Sequence, residues 1–533
     1  MSRALACCVA AAAIAGACGR DRRAEPSTTT LVLRVTDGGK PVAARVLLLT
    51  PDGEPLHIGS LDMFGARQGS AACAIAPSVV GSWDGLILGH GVAEVPVGSD
   101  ACNPSPAIPY GRYQVWAWRG VEYELWKGEV DLSANRGAVE LAIPLQRVWT
   151  PHGTLAADLH VHAFASADSH VPNPQRVIAQ AAAGIQVVAL SDHDTNGDLD
   201  REITELGLDG VIASIASNEL THDQLHVGVY PVTIDRTKPN GGSPSSAQIR
   251  GSSIPQLFEL ARTLGPIVQL NHPRFRYTAL FDTTAWDGVR WPPPFPLAFD
   301  AVEVLAGYSA FNVPEDRRFD EGARDFYTLI DHGRLIAPLG NSDTHDLNWV
   351  LDGTTRTYVT VDDPRTHPFD EAAFVAAIKA RRTVATSGPW LDVEAAPSAE
   401  DRATVGPGES VTPKDGKVAL HITLAQASFV HADRLRVTVG TPTGPQLAAT
   451  IDVPAGTRSF QHTVVVDAGT ADTWIGVVAD GDTPLPLPLT GTYQRDKWKR
   501  AGVTPFAIIS PILVDADVDG RWKRRDADVS LRP

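Results

Sequence analysis

The chain has 533 residues, 43% of them hydrophobic and 20% charged, which fits a globular protein of about three compact units and excludes a largely disordered one. Its formal charge of −16 excludes an extended nucleic-acid surface, which needs clustered Lys and Arg against phosphates. A local cationic pocket for a small anion is still compatible with that balance.

Residues 1–18 read as a lipoprotein signal segment. Arg3 supplies the positive start, Ala4 to Ala17 is small and apolar, and Ala15-Gly16-Ala17-Cys18 has the form of a lipoprotein cleavage box. Cleavage there would leave Cys18 as a lipidated first residue, on an exported protein of a bacterial cell envelope, and Gly19 after it points to the outer membrane. The alternative is an ordinary secretory signal with an incidental cysteine. No other apolar run approaches a membrane span. Residues 19–30, GRDRRAEPSTTT, suit a tether.

Residues 31–148 read as a β-sandwich, because LVLRVTD, VAARVLLLT, YQVWAWRG, KGEVDL and AVELAIPL are β-prone runs parted by turn clusters. Setting aside Cys7, Cys8 and Cys18, the pair Cys73 and Cys102 is expected to form a disulfide in an exported chain, with two buried thiols as the alternative. Tyr113, Trp116, Trp118, Tyr123 and Trp126 read as core and edge packing in preference to a carbohydrate platform.

Residues 149–389 alternate between helical and strand periods. Helices are expected at 175–184, 254–265, 319–332 and 370–381, and strands at 186–190, 266–270, 301–305 and 335–339, an order that favours a barrel-like α/β layer. Residues 390–515 return to β texture and read as a second sandwich, and 516–533 as a charged, frayed tail.

The chemistry lies in the α/β region. His160 and His162 stand two apart behind a small, apolar run; on a strand both imidazoles share one face and can converge on a cation, whereas a helix splays them. Alone this pattern is weak. Asp192-His193-Asp194, Glu219, His226, His272 and Asp343-Thr344-His345 follow it, several of them after short β-branched runs, where strand ends of α/β barrels deliver functional groups. There is no phosphate-loop, nucleophile-elbow or dinucleotide fingerprint.

In that order DLHVH, SDHDT, SNEL, NHPR and GNSDTH resemble the motif series of the polymerase and histidinol phosphatase (PHP) superfamily. With FDAVEVLAG and TSGPWLDV added, the chain is most similar to the carbaryl-hydrolase-like (CehA/McbA) metallohydrolases within it. The resemblance implies a distorted (β/α)7 barrel flanked by N-terminal and C-terminal β-sandwich domains, and two or three divalent ions, Zn, Mn or Fe. It places His160, His162, Glu219 and Asp343 on one ion and His226 and His272 with Glu219 on a second. A third would take His193 and His345 with either Asp168 or His170, of which Asp168 is preferred because carbaryl-type relatives carry aspartate there. Such ions lower the pKa of a shared water and supply hydroxide for hydrolysis.

Asp192 and Asp194 are candidate catalytic carboxylates that would orient His193 or shuttle a proton, unless they cap the following turn. Arg274 is a candidate clamp for an anionic oxygen, unless it makes a structural salt bridge. His152, His222 and His332 read as spectators. The expected function is an exported metal-dependent hydrolase acting on a small molecule, in first place a phosphoesterase. The alternative is a carbamate, ester or amide hydrolase, for which Trp286, Trp291, Phe295 and Tyr308 could line an apolar slot or simply cover the barrel. A reading of another class is a non-catalytic surface-binding lipoprotein. The expected partners are the substrate and, through Cys18, a membrane, with no nucleic acid.

Overall fold

The computed structural model describes residues 29–56, 58, 73–76, 78–82, 85–98, 108–134, 136–274, 278–288, 298–307, 318–347, 352–486, 489 and 503–523. The lipidation segment with Cys18, the Cys73–Cys102 pairing, and Trp291, Phe295 and Tyr308 lie outside the described residues. The architecture is mixed α/β, with many strands in several sheets and few helices. No helix among the described residues is long and apolar enough to cross a membrane.

Near the N-terminus two sheets face each other across one core. Strand Thr29–Asp37 runs parallel to Ala138–Leu145 on one side and antiparallel to Val92–Val97 on the other. The facing sheet contains Ala44–Leu49 between Gly85–Leu88 and Arg112–Trp118. Alternation in Thr29–Asp37 turns Leu31, Leu33 and Val35 inward, onto Val46, Leu48 and Val115. Tyr113, Trp118 and Tyr123 are buried, and the Tyr123 hydroxyl donates to Asp37 Oδ2 at 2.9 Å, so these aromatics pack as core.

In the middle of the chain Thr154–Val161, Val187–Leu190 and Ala213–Ala216 pair in parallel. Asn218–His222, Leu225–Tyr230, Ile267–Leu270, Ala301–Ala306 and Ala337–Asn341 form a second sheet in that order. Nearly all of these strand residues are buried, as in sheets covered on both faces. The two sheets adjoin at bridges between His193 and Glu219 and between Val161 and Thr344, which brings their ligand-bearing ends together.

Helices cover them. Asn173–Ala182 opens with Pro in its first turn, and Glu371–Lys379 is capped by Asp370, whose side chain accepts the Ala373 N–H at 2.9 Å. Ile254–Leu264 and Arg318–Asp331 complete the set of long helices among the described residues, and all four lie close to their expected positions.

The C-terminal region also has two layers. Trp390–Ala396, Lys417–Ala425 and Ser459–Asp467 form one, and their Leu391, Val393 and Leu420 share a core with Leu435, Val437 and Val477 of the other. The second layer, however, is not separate from the centre. Phe506–Ile509 pairs with Thr383–Thr386, which pairs with Arg356–Thr360, which pairs with Thr154–Val161. An 11-stranded sheet therefore crosses the expected boundary at 389 and 390. Trp149, Tyr358 and Trp390 sit on this junction with ring centroids 5.0–5.6 Å apart, and the Tyr358 hydroxyl donates to Glu122 at 3.1 Å. Residues 516–523 of the expected polar tail are tied down by Ala516 and Lys523 N–H bonds to Asp472.

Candidate metal centre

Strand Thr154–Val161 delivers His160 from its interior and His162 just past its end, both fully buried. His160 Nε2 lies 3.0 Å from Glu219 Oε1 and 3.2 Å from Asp343 Oδ1. His162 Nε2 lies 3.2 Å from the same Asp343 oxygen and 3.4 Å from Glu219 Oε2. Glu219 is central because it belongs to the hairpin of Asn218–His222 with Leu225–Tyr230 and abuts His193 at the sheet junction. Its Oε1 is also 3.2 Å from His226 Nδ1 and 3.5 Å from His272 Nε2, and its Oε2 is 3.0 Å from His193 Nδ1.

Asp168 closes the outer side. Its Oδ2 lies 3.2 Å from His193 Nε2 and 3.3 Å from His345 Nε2, and the His345 ring stacks on His162 at 4.0 Å. All nine expected ligands thus converge, in four overlapping groups whose ligand atoms lie within 4.8 Å of one another: His162 with Asp168, His193 and His345; His160 with His162 and Asp343; His160 with Glu219 and His272; and His193 with Glu219 and His226. This division differs from the expected one, since His226 and His272 fall in different groups and His193 joins both Asp168 and Glu219. Asp168 joins a group and His170 does not.

Hydrogen bonds at the far side of each ring set its direction. His160 Nδ1–H donates to Glu303 Oε1 at 2.8 Å. His162 Nδ1–H donates to Ser166 Oγ at 3.0 Å, whose own proton goes to Asp168. His193 Nδ1–H donates to Thr221 Oγ1 at 2.6 Å, whose proton goes to the Glu219 carbonyl, and His345 Nδ1–H donates to the Asp343 carbonyl at 3.0 Å. His160, His162 and His345 therefore turn an Nε2 lone pair toward the cluster, the arrangement that outer hydrogen bonds give metal-ligating histidines, whereas His193 presents both nitrogens to it, Nδ1 to Glu219 Oε2 at 3.0 Å and Nε2 to Asp168 Oδ2 at 3.2 Å.

The atoms that meet there are not satisfied by one another. His162 Nε2, both His226 nitrogens and Glu219 Oε2 are buried without a hydrogen-bond partner among the described residues, although ligand-type atoms approach to 3.0–3.4 Å. Lone pairs that converge on a common point fit a cation. Burial works against charge on His160 and His193, yet Asp343, Glu219 and Glu303 around the first, and Glu219 and Asp168 around the second, hold both above the usual imidazole range. Despite burial, Glu219 is held below the carboxylate range by His160, His226 and His193, and Asp343 by His160. His162 is pushed down to about 3, chiefly by burial. Negative charge is thus fixed and asks for a positive partner. These histidine and acidic groups can hold a metal ion.

Backbone strain collects at the same place. Asp194, His272 and Asp343 have φ of 51°, 25° and 51°, a region that costs non-glycine residues about 1–3 kcal/mol each.

The three candidate catalytic residues have contacts of their own. Asp192 Oδ1 accepts the Ala163 N–H at 2.7 Å and Asp194 Oδ1 the Thr221 N–H at 2.9 Å, so both brace backbone beside the ligands, and the His193 ring is oriented by Thr221 instead. Burial pushes the Asp192 carboxyl up to about 6. Arg274 is engaged by Asp325 at 2.6 Å and Asp282 at 3.2 Å, with its guanidinium over Phe281 and Trp286, which makes it a structural salt bridge and not an anion clamp. His222 bonds the Ser252 carbonyl at 3.1 Å, as a spectator would.

Sequence reasoning missed Glu303. Besides His160 it accepts the His272 N–H at 2.7 Å, Asn341 Nδ2 at 2.8 Å and Gln269 Nε2 at 3.2 Å. Asn271 was missed as well; its Nδ2 donates to Glu219 Oε1 at 2.7 Å. Below the cluster, Arg176 donates to the His162 carbonyl at 2.9 Å and to Asp352 at 2.6 Å, and Asp352 is also bound by Arg45 of the N-terminal layer at 2.8 Å.

No protein-family model matches the chain, and no curated protein matches it.

Proposed function

We propose that the protein is a metal-dependent hydrolase of the PHP superfamily, similar to its carbaryl-hydrolase-like members, with the two central sheets as the distorted (β/α)7 barrel of that group. The observation that carries this reading is the convergence of His160, His162 and His345, each held at Nδ1 from the outside and turning Nε2 inward, with His193, which faces Glu219 through Nδ1 and Asp168 through Nε2, on Glu219, Asp343 and Asp168. Divalent Zn, Mn or Fe held there supplies Lewis acidity and a water of lowered pKa.

The chain's own residues do the rest. Glu303 and Ser166 fix the rings of His160 and His162, and Asn271 holds the Glu219 carboxylate. Burial of His160, His162, Glu219 and His272 keeps solvent off the inner side, while partly exposed Asp168, His193 and His345 form the side on which a substrate is received. Phe164, 67% exposed on the loop between His162 and Asp168, offers an apolar contact at that mouth.

Resemblance at superfamily level favours phosphoesters. Engagement of Arg274 by two carboxylates removes the expected phosphate clamp and, with Phe164, favours the second reading, a carbamate, ester or amide with an apolar group. Export and lipid anchoring at Cys18 belong to the same proposal.

Metal analysis of the purified protein followed by parallel assay on an aryl phosphate and an aryl carbamate tests it. His160→Ala and Asp343→Ala are expected to remove both bound transition metal and turnover and to keep the far-UV spectrum. Turnover unchanged in either variant contradicts the proposal.

A further inference from the structure

A second group of ligand-type side chains comes together away from the imidazoles. Asp472 immediately precedes strand Thr473–Asp480, and Asp515 and Asp517 follow strand Ile512–Val514. These strands pair antiparallel with Thr473 opposite Val514, so the three carboxylates meet at one end of the pair. One oxygen from each lies within 4.8 Å of the others. Asp472 and Asp515 are buried, at 8% and 7% exposure, and Asp517 is exposed at the rim.

Backbone N–H groups meet only part of this charge. Asp472 accepts from Ala516 at 2.9 Å and Lys523 at 2.8 Å, and Asp515 Oδ2 accepts from Gly520 at 2.9 Å. Asp515 Oδ1 is buried and has no hydrogen-bond partner among the described residues. A buried carboxylate oxygen without a partner is costly, and here two other carboxylates stand beside it, which adds repulsion. A bound cation removes both penalties at once.

The local sequence names the kind of cation. Asp515-Ala516-Asp517-Val518-Asp519-Gly520 sets carboxylates at alternate positions before a glycine, the spacing that opens a calcium loop, and Gly520 has the φ of 75° that such a turn uses. Asp519 is outside the group because Lys523 Nζ holds its Oδ2 at 2.5 Å. The donors are all oxygen, with no imidazole or thiolate, which suits a hard cation and disfavours zinc.

We propose that Asp472, Asp515 and Asp517 form a calcium site that clips the C-terminal turn to one end of the strand pair Thr473–Asp480 and Ile512–Val514 in the long sheet. The turn is already directed there, since Trp522 Nε1 donates to the Thr473 carbonyl and Lys523 N–H to Asp472. The site is independent of the imidazole cluster and of the hydrolase reading.

The test is calcium titration of the full chain, stripped with chelator, by isothermal calorimetry, with Asp515→Asn and Asp517→Asn in parallel. The wild type is expected to bind one more calcium per chain than either variant, or to bind it about tenfold or more tightly, since affinity follows the number of charged ligands. Each variant should keep the far-UV spectrum and the transition-metal content of the wild type. Equal calcium stoichiometry and affinity in wild type and Asp517→Asn overturns the site. Because Asp517 lies at the rim, that variant decides the matter even if Asp515→Asn fails to fold.

Discussion

Glu303 shows how one side chain can govern several ligands. It fixes the His160 ring through Nδ1 and the His272 backbone through N–H, and Asn341 and Gln269 hold it in turn. Glu303→Gln keeps the shape but replaces one acceptor oxygen by a donor, so metal affinity is expected to fall about 10–100-fold, read by titration against a competing chelator. Affinity within twofold of wild type would reduce Glu303 to a packing role. The nine converging side chains were legible because imidazoles and carboxylates recur beside short β-prone runs. Glu303 was not, because it sits in the run AVEVLA, whose other residues speak only of burial. A lone carboxylate inside a buried strand was itself the available signal, since such a charge needs partners. For Asp192 and Asp194 no local pattern separates a carboxylate that orients a ring from one that accepts a backbone N–H, and the second role holds.

Among elements, the helix Asn173–Ala182 braces the floor of the cluster. Its Arg176 and the Arg45 of strand Ala44–Leu49 share Asp352, with all three side chains buried. Asp352→Ala leaves two buried guanidinium groups without their carboxylate and should cost about 3–5 kcal/mol in denaturant unfolding. A loss under about 1 kcal/mol would show that other groups replace it. The loop from Ala163 to His170 is a different case, because Phe164 is exposed and, on the proposed hydrolase reading, bears on substrate binding more than on stability. Phe164→Ala should raise KM for aryl substrates about tenfold with kcat nearly unchanged, and an equal fall in both constants would argue against a binding role. Amphipathic spacing made the four long helices legible to within a few residues. The hairpin carrying Glu219 and His226 was not, because NELTH mixes polar and apolar residues without alternation and carries no turn signature of its own.

For the whole molecule the main fact is that the long sheet does not stop where the sequence texture changes. Thr383–Thr386 has Arg356–Thr360 on one side and Phe506–Ile509 on the other, and Thr386 Oγ1 also donates to the Phe506 carbonyl, 120 positions away. A chain ending at 389 would leave that strand with an open edge and strip Trp390 from Trp149 and Tyr358. It is expected to aggregate on expression, checked by size-exclusion chromatography; a soluble, cooperatively unfolding fragment with full metal content would overturn that view. The change of texture after residue 389 was legible, but the pairing was not, since nothing near residue 384 specifies a partner so distant.

The placement of Thr29–Asp37 bears on how the body withstands load. Flanked by Ala138–Leu145 and Val92–Val97, that strand has slanted rungs to its parallel neighbour and rungs at right angles to its axis on the antiparallel side. Tension arriving from the residues ahead of Thr29 would stress both ladders in shear and all together, not one rung after another as in unzipping. A protein drawn by its leading end is thereby built to hold its shape, and resistance to forced unfolding would depend on those two ladders letting go at once.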